Sequence, residues 1–241
     1  MSNKNMVEEI IAFNKQFVES KGYEKYITNK YKQIRDTFGV NRYQGIPLYS
    51  LGNVKVPFRY GRDGAYVSVI SDSADYFQII PATFGGVWHV PKKYMKLIGP
   101  LSIKKVIFVD RTNQNIATLE QDGTTWLVRS MNPITTGANR PPYQQPTPPG
   151  IYFIQKKLSE MLFLKDGSAE EGGFAPYAIR FTGGAYLHGV PVNYPHNELI
   201  EFSWSLGTTP RSHMCVRNAT SHAKFMYDWA EVEKTLVIVF D

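Results

Sequence analysis

The sequence has 241 residues and one cysteine, Cys215, which excludes a disulfide framework within the chain. No run of apolar residues is long enough to span a bilayer. The N-terminus, Met1-Ser2-Asn3-Lys4-Asn5, lacks the apolar core of a signal peptide. The chain is therefore either cytoplasmic or a mature form whose export signal has been removed. Lys and Arg number 27 against 21 Asp and Glu, giving a net charge of +6, yet they form no dense basic block. Nucleic acid is thus not an expected partner. The excess fits an anionic surface or polymer, and equally plain solubility. No Cys/His pair has the spacing of a closed zinc site, so no metal is expected. Gly183-Gly184 is a turn and not a phosphate loop, because no strand–loop–helix with a lysine follows it. No other cofactor motif is present. There is no internal repeat, and the one compositionally biased stretch is the Pro-, Gly- and Gln-rich loop 136–149.

What the sequence has in quantity is aromatic and turn residues. It holds 15 Tyr, 14 Phe and 4 Trp beside 19 Gly and 15 Pro, the composition of many short strands joined by tight turns. Before them, residues 5 to about 38 show helical spacing. Val7, Ile10, Ile11, Phe17 and Val18 form one stripe; after Lys21-Gly22, a second helix carries Tyr23, Tyr26, Ile27, Tyr31 and Ile34. From Asn41 the pattern turns to strands: 46–49, 65–70, 75–80 and 85–94. A second strand-rich region starts at Leu101, with strands at 104–110, 115–120, 125–130 and 151–155. Thr220–Ala230 reads as a helix that buries Ala223, Met226, Tyr227 and Ala230, with Asn218 or Thr220 as its cap. Thr235–Phe240 is a closing strand.

Two places carry chemistry. Tyr177–Phe181 and Ala185–His188 form a hairpin around Thr182-Gly183-Gly184. On its second strand, alternation puts Ala185 and Leu187 toward the core and Tyr186 and His188 on the opposite face. The other place is Ser212-His213-Met214-Cys215-Val216-Arg217-Asn218. Here the sole thiol lies in a turn before a helix N-terminus, beside His213 and Arg217, a setting that favours the thiolate. A nucleophilic cysteine with a histidine base fits these residues. A buried thiol filling core space fits them as well. His196 and His222 read as surface residues.

Two resemblances refine this reading. The Asp75-Tyr76-Phe77 strand and Gly86-Val87-Trp88-His89-Val90-Pro91, ending in Lys93-Tyr94, make residues 45–98 similar to a bacterial SH3-like domain. Such a module implies binding of peptide or cell-wall polymer, or a structural spacer. The second is carried by His188-Gly189, Leu206-Gly207-Thr208 and Ser212-His213-Met214-Cys215-Val216-Arg217. Supporting it are Thr136-Gly137, Thr147-Pro148-Pro149-Gly150-Ile151-Tyr152 and Ala223-Lys224 through Tyr227-Asp228. Together these resemble the YkuD-type L,D-transpeptidase signature over about residues 101–241.

The resemblances imply a mainly β chain: a helical segment at 1–40, a small SH3-like barrel at 41–99, and a YkuD-like β-sandwich with a C-terminal helix at 100–241. They imply Cys215 as nucleophile, His188 as base and His213 as a supporting catalytic residue. Ser212, Met214 and Gly189 would build the oxyanion site and its support; Arg217 and Tyr186 would bind substrate. The implied substrate is a peptidoglycan stem tetrapeptide, acylating Cys215 as a thioester, with no cofactor, with carbapenem-type inhibitors as further ligands, and with an envelope location. An L,D-carboxypeptidase, or a non-catalytic wall-binding protein, remains open beside the transpeptidase. Two departures from the pattern stand out. The 23 residues between His188 and Ser212 (189–211) exceed the family norm, with Asn193–Phe202 as the inserted surface loop. Met214 stands where the family has glycine. A methionine at positive φ there would cost on the order of 1 kcal/mol or more.

Overall fold

The computed structural model describes residues 45–98 and 102–241, together with the backbone of three short strands before them. Those three are β1 (Glu24–Ile27), β2 (Gln33–Arg35) and β3 (Asn41–Tyr43). They correct the expected second helix. β1 is wedged between two antiparallel partners, with Tyr26 opposite both Tyr66 and Lys96. β2 pairs with β3. Backbone pairing on a sheet has here overridden a helix-like apolar spacing in a segment rich in Tyr and Ile, residues that suit strands. The first expected helix lies outside the described residues.

β4 (Ile46–Leu48), β6 (Ala65–Asp72), β7 (Tyr76–Pro81) and β8 (Trp88–Pro91) fall where turn residues placed them, and two further short strands, β5 (Arg59–Gly61) and β9 (Met95–Leu97), join them. β6, β7 and β8 form an antiparallel meander, and β1 bridges β6 to β9. Ile46, Leu48, Val67, Ile79 and Val90, each at 0 % exposure, form their core. This unit is joined to the rest of the chain by backbone, since Tyr152 pairs with Ala65 of β6.

The second region contains β10 (Lys105–Asp110), β11 (Asn115–Asp122), β12 (Thr125–Thr135), β13 (Gly150–Phe153), β14 (Lys156–Leu164), β15 (Glu171–Thr182), β16 (Ala185–His188), β17 (Val192–Asn193), β18 (Val216–Asn218), helix α1 (Thr220–Trp229) and β19 (Thr235–Phe240). Hydrogen bonding runs without a break in the order β14-β15-β16-β18-β12-β11-β10-β19-β13-β6. So long a twisted sheet folds over on itself into a sandwich. β12 makes the turn between layers. Its residues 125–133 pair with β11, whereas Ile134 and Thr135 pair with β18. That switch brings β18, and Cys215 just before it, beside the β15–β16 hairpin.

α1 closes the β15 side and buries Thr220, His222, Ala223 and Met226. Neither expected side chain caps it. The capping position is Ala219, and the cap comes from the inserted loop instead. The Glu201 carboxylate accepts from the Ser221 N–H at 2.9 Å and from the Ser221 hydroxyl, and the Glu201 carbonyl accepts from Thr220 N–H at 3.1 Å. Asn218 is occupied elsewhere, donating to the carbonyls of Val216 (3.2 Å) and His188 (3.4 Å). Glu201→Ala removes a charged cap from a helix N-terminus. It should lower unfolding free energy by about 1 kcal/mol in a denaturant titration, while Glu198→Ala next to it changes little.

Candidate functional site

β16 and β18 run parallel, with Leu187 opposite Val216 and His188 opposite Arg217. Alternation sends Leu187 and Val216, both fully buried, into the core. It leaves Tyr186, His188 and Arg217 on the other face, and the same register sets Cys215 against Tyr186. The cysteine and histidine, 27 positions apart in sequence, thus come onto neighbouring chain segments, two residues apart in register. The Cys215 thiol is nearly buried and donates to the Gly184 carbonyl at 3.7 Å, while the Tyr186 backbone N–H faces the sulfur.

The His188 ring is buried, and its Nδ1 lies 2.6 Å from the Gly189 carbonyl. A carbonyl oxygen only accepts, so Nδ1 carries the proton and Nε2 holds the free lone pair. Glycine is needed at 189 because a Cβ there would press on Pro176 and Thr220. Burial pushes the His188 pKa down to about 4, helped by the Arg217 charge and opposed by the Gly189 hydrogen bond. Burial also pushes the Cys215 thiol up to about 11, against the Tyr186 N–H and the Arg217 charge. Burial thus acts against the expected thiolate, because desolvation outweighs the neighbouring cation.

Met214 adopts φ +92, the left-handed region that the sequence pattern reserved for glycine. Its backbone lies so close to Gly137 that a Cβ on that glycine would sit 2.8 Å from Met214 N and Cα. Its side chain packs, half-buried, on the main core. Buried hydroxyls hold the turn in place. Ser212 Oγ donates to the Cys215 carbonyl, and Thr147 Oγ1 donates to the Met214 carbonyl at 2.8 Å while accepting from Gly137 N–H at 2.8 Å. Ser212 N–H donates to Thr136 O and Ala138 N–H to Ser212 O, both at 3.0 Å. The N–H groups of Met214 and Cys215 form no hydrogen bond among the described residues.

Arg217 is half-buried, and its Nε has no hydrogen-bond partner. Burial lowers its pKa, as does the nearby charge of Arg211. His213 is not gathered into this group: its imidazole is exposed, with Nε2 2.9 Å from the Asp166 carboxylate. His222, expected on the surface, is buried instead. Its Nε2 meets Ser130 Oγ at 2.9 Å and its Nδ1 meets Asn218 Oδ1 at 3.2 Å, because it falls on the inner side of α1. Gln114 was missed altogether. Its buried amide brackets Thr136, donating to Oγ1 and accepting from the backbone N–H at 2.8 Å each. In the sequence it stands in the turn Asn113-Gln114-Asn115, and nothing there marks it.

His222 is pushed down to about 4 by burial, like His188. Groups with a depressed folded pKa hold stability above the unfolded value, near 6.5, and lose it as pH falls toward the folded one. Each histidine contributes up to about 3 kcal/mol on this scale. The thermal midpoint should fall between pH 6.5 and 4, and His222→Gln should flatten part of that fall.

The family model for the L,D-transpeptidase catalytic domain of the YkuD type matches residues 104–239, more than half of the chain. No curated protein sequence matches. Among solved structures, an L,D-transpeptidase from Mycobacterium smegmatis is 20% identical over 64% of this chain and 73% of its own, with a TM-score of 0.45. The L,D-transpeptidase LdtMt1, solved in complex with imipenem, is 15% identical over 82% and 79%, with a TM-score of 0.44. A fused Zn-dependent amidase/peptidase/peptidoglycan-binding domain-containing protein from Clostridium acetobutylicum is 20% identical over 58% of this chain, with a TM-score of 0.42, and the chain spans about half, 53%, of its length. On the strength of the family match, the chain belongs to the YkuD family of L,D-transpeptidase catalytic domains.

Proposed function

We propose that this protein is a peptidoglycan L,D-transpeptidase that works through a thioester on Cys215. The observation that supports the reading is the parallel pairing of β16 with β18, which brings Cys215 and a buried His188 onto adjacent segments, with the free nitrogen of His188 fixed as Nε2. The Cys215 sulfur attacks the carbonyl of an L,D peptide bond in a stem tetrapeptide. His188 Nε2 takes the thiol proton and passes it to the departing D-alanine amine. A second stem's amine then attacks the thioester, loses a proton to His188, and restores the thiol.

Burial disfavours the charged form of both groups, which raises the thiol and lowers the imidazole and so disfavours a standing thiolate–imidazolium pair. Proton transfer therefore accompanies attack on the bound carbonyl rather than preceding it. The unengaged N–H groups of Met214 and Cys215 suit the developing oxyanion, a contribution of roughly 2.7–4 kcal/mol per donor. Arg217, half-buried with no acidic partner among the described residues, pairs with a stem-peptide carboxylate. Tyr186 lines the acyl site, and Ser212 and Gly189 support its two sides. His213, held by Asp166, acts on the outer rim.

In this reading residues 41–99 are an SH3-like module and 100–241 the catalytic domain, in the cell envelope. Among the described residues, no helix is long and apolar enough to cross a membrane. Carbapenems are expected to acylate Cys215. Incubation with purified stem tetrapeptide tests the proposal: D-alanine is released, and an added amine acceptor yields the cross-linked product. Release without cross-linking assigns the L,D-carboxypeptidase instead, and no release by the folded protein overturns both. A second reading, a non-catalytic wall-binding protein, is favoured by Met214 and by a cleft of about 630 Å³ lined by Tyr49, Tyr60, Tyr76, Tyr94, Asp75 and Lys93. Sedimentation with purified cell walls despite a chemically inert Cys215 would support it.

A further inference from the structure

The turn between β5 and β6 inserts into the catalytic sheet. Asp63 and Arg180, both nearly buried, form an ion pair there. The Asp63 carbonyl accepts from Thr182 Oγ1 at 2.6 Å, and the carbonyl of Gly64 (φ +79) accepts from Phe153 N–H at 2.9 Å. Arg180 Nη1 also donates to Gln155 Oε1 at 3.0 Å, and Gln155 Nε2 donates to the Phe181 carbonyl at 2.8 Å. The Gly64 contact ties the turn to β13, and the others fix the end of β15 where it enters the Thr182–Ala185 hairpin. The hairpin is irregular at that point, with a register shift between Arg180 and Thr182, so strand pairing alone does not set its tip. The tip carbonyl, Gly184 O, is the group that receives the Cys215 thiol.

Register supplies a second link. Arg180 lies opposite Tyr186 across β15 and β16, and the Tyr186 backbone N–H faces the Cys215 sulfur. Arg180, Tyr186 and Cys215 therefore form one row across three adjacent segments, with Arg180 and Cys215 separated by two strand spacings, about 10 Å. Asp63 is the carboxylate seated on the cationic end of that row.

We propose that Asp63 is a positioning residue for Cys215: from the N-terminal strand unit it holds Arg180 and the Thr182–Ala185 hairpin so that the Gly184 carbonyl meets the thiol, and it offsets the Arg180 charge along the row. The catalytic part of this statement rests on the thioester reading; the geometric part does not. The other groups around the thiol are His188 and Tyr186 on β16, Arg217 on β18 and Arg211 before it, with Lys156 beside Arg180. Replacing Asp63 changes the charge of none of these groups, and the Asp63→Glu and Thr182→Val variants, which disturb the hairpin but keep the carboxylate, separate its charge from its hold on the hairpin.

The test uses the full chain and the rate of Cys215 alkylation by iodoacetamide against pH, with Cys215→Ala as the blank. Asp63→Asn keeps the size of the side chain and removes its negative charge, which makes the row more positive and favours the thiolate. The alkylation midpoint should move down by at least half a pH unit, and acylation by a carbapenem should slow at least tenfold as the hairpin loosens. Adding Arg180→Gln to Asp63→Asn should return the midpoint. Should Asp63→Asn fail to fold, Asp63→Glu and Thr182→Val keep the charge and disturb the hairpin. They should leave the midpoint in place and slow acylation about threefold or more. A midpoint and rate both unchanged in the folded variants, with only the thermal midpoint lowered, would make Asp63 purely structural and overturn the proposal. A wild-type protein that alkylates but never acylates would sink the thioester reading instead, leaving the alkylation profile to decide on Asp63.

Discussion

Incubated with a carbapenem, the protein should gain the mass of one inhibitor on Cys215, and Cys215→Ala should gain none. His188→Ala should still be acylated, but between about 10²- and 10⁴-fold more slowly, the usual contribution of a positioned general base. The size of this effect follows from the burial of both groups. With the thiol near 11 and the imidazole near 4, very little thiolate exists at neutral pH, so the uncatalysed route through free thiolate is nearly closed. A pre-formed thiolate–imidazolium pair would predict the opposite: fast alkylation at neutral pH and only a modest loss on removing His188. Intact-protein mass spectrometry over time separates the two. A folded wild-type protein that carries no adduct overturns the enzyme reading.

Met214→Gly should raise the acylation rate about tenfold while lowering thermal stability. Holding a methionine at φ +92 stores strain of order 1–3 kcal/mol, and glycine removes it from the fold, which offsets part of the stability loss without changing the barrier. The rate gain comes from the side chain. The methionine sulfur lies only 3.9 Å from where a Cβ on Gly184 would be, against the hairpin whose carbonyl holds the thiol. Taking that side chain away opens the wall of the site to an acyl group. The stability loss comes from the same change, because Met214 packs on the main core and glycine leaves that space empty. A rate that does not rise would mean that the backbone geometry already suits the reaction and that the departure from glycine is neutral. A tenfold rise identifies Met214 as a brake on an otherwise working site.

Local chemistry explains which parts of the fold were legible. The β15–β16 hairpin is written in Thr182-Gly183-Gly184 and in the alternation of Ala185-Tyr186-Leu187-His188, and it forms where expected. The burial of Leu187 and the shared face of Tyr186 and His188 follow from the two-residue period alone. The helix Thr220–Trp229 is equally plain from its apolar spacing. The segment 23–38 misled because Tyr26, Ile27, Tyr31 and Ile34 fit a helical stripe and a pair of short strands alike; long-range pairing decides between them. The helix cap was misassigned for a similar reason. Asn218 has the right chemistry at the right place, but its amide is engaged by Val216 and His188, and a carboxylate 20 residues upstream does the capping.

The sequence by itself determined the residue types at the site: one thiol, a histidine on a hairpin strand, an arginine two positions beyond the thiol, and a methionine in place of a glycine. These are fixed by composition and short spacing, which no fold is needed to read. Only the tertiary structure decided their states. Parallel pairing set His188 opposite Arg217, on the segment next to the cysteine's, while His213 turned outward to Asp166. Burial turned a thiol expected to ionise readily into one pushed up to about 11, and brought His222 from the expected surface into the core. Asp63 became linked to the site only through the insertion of its turn against β15. Desolvation and register are sums over contacts distant in sequence, and no local pattern of residues carries them.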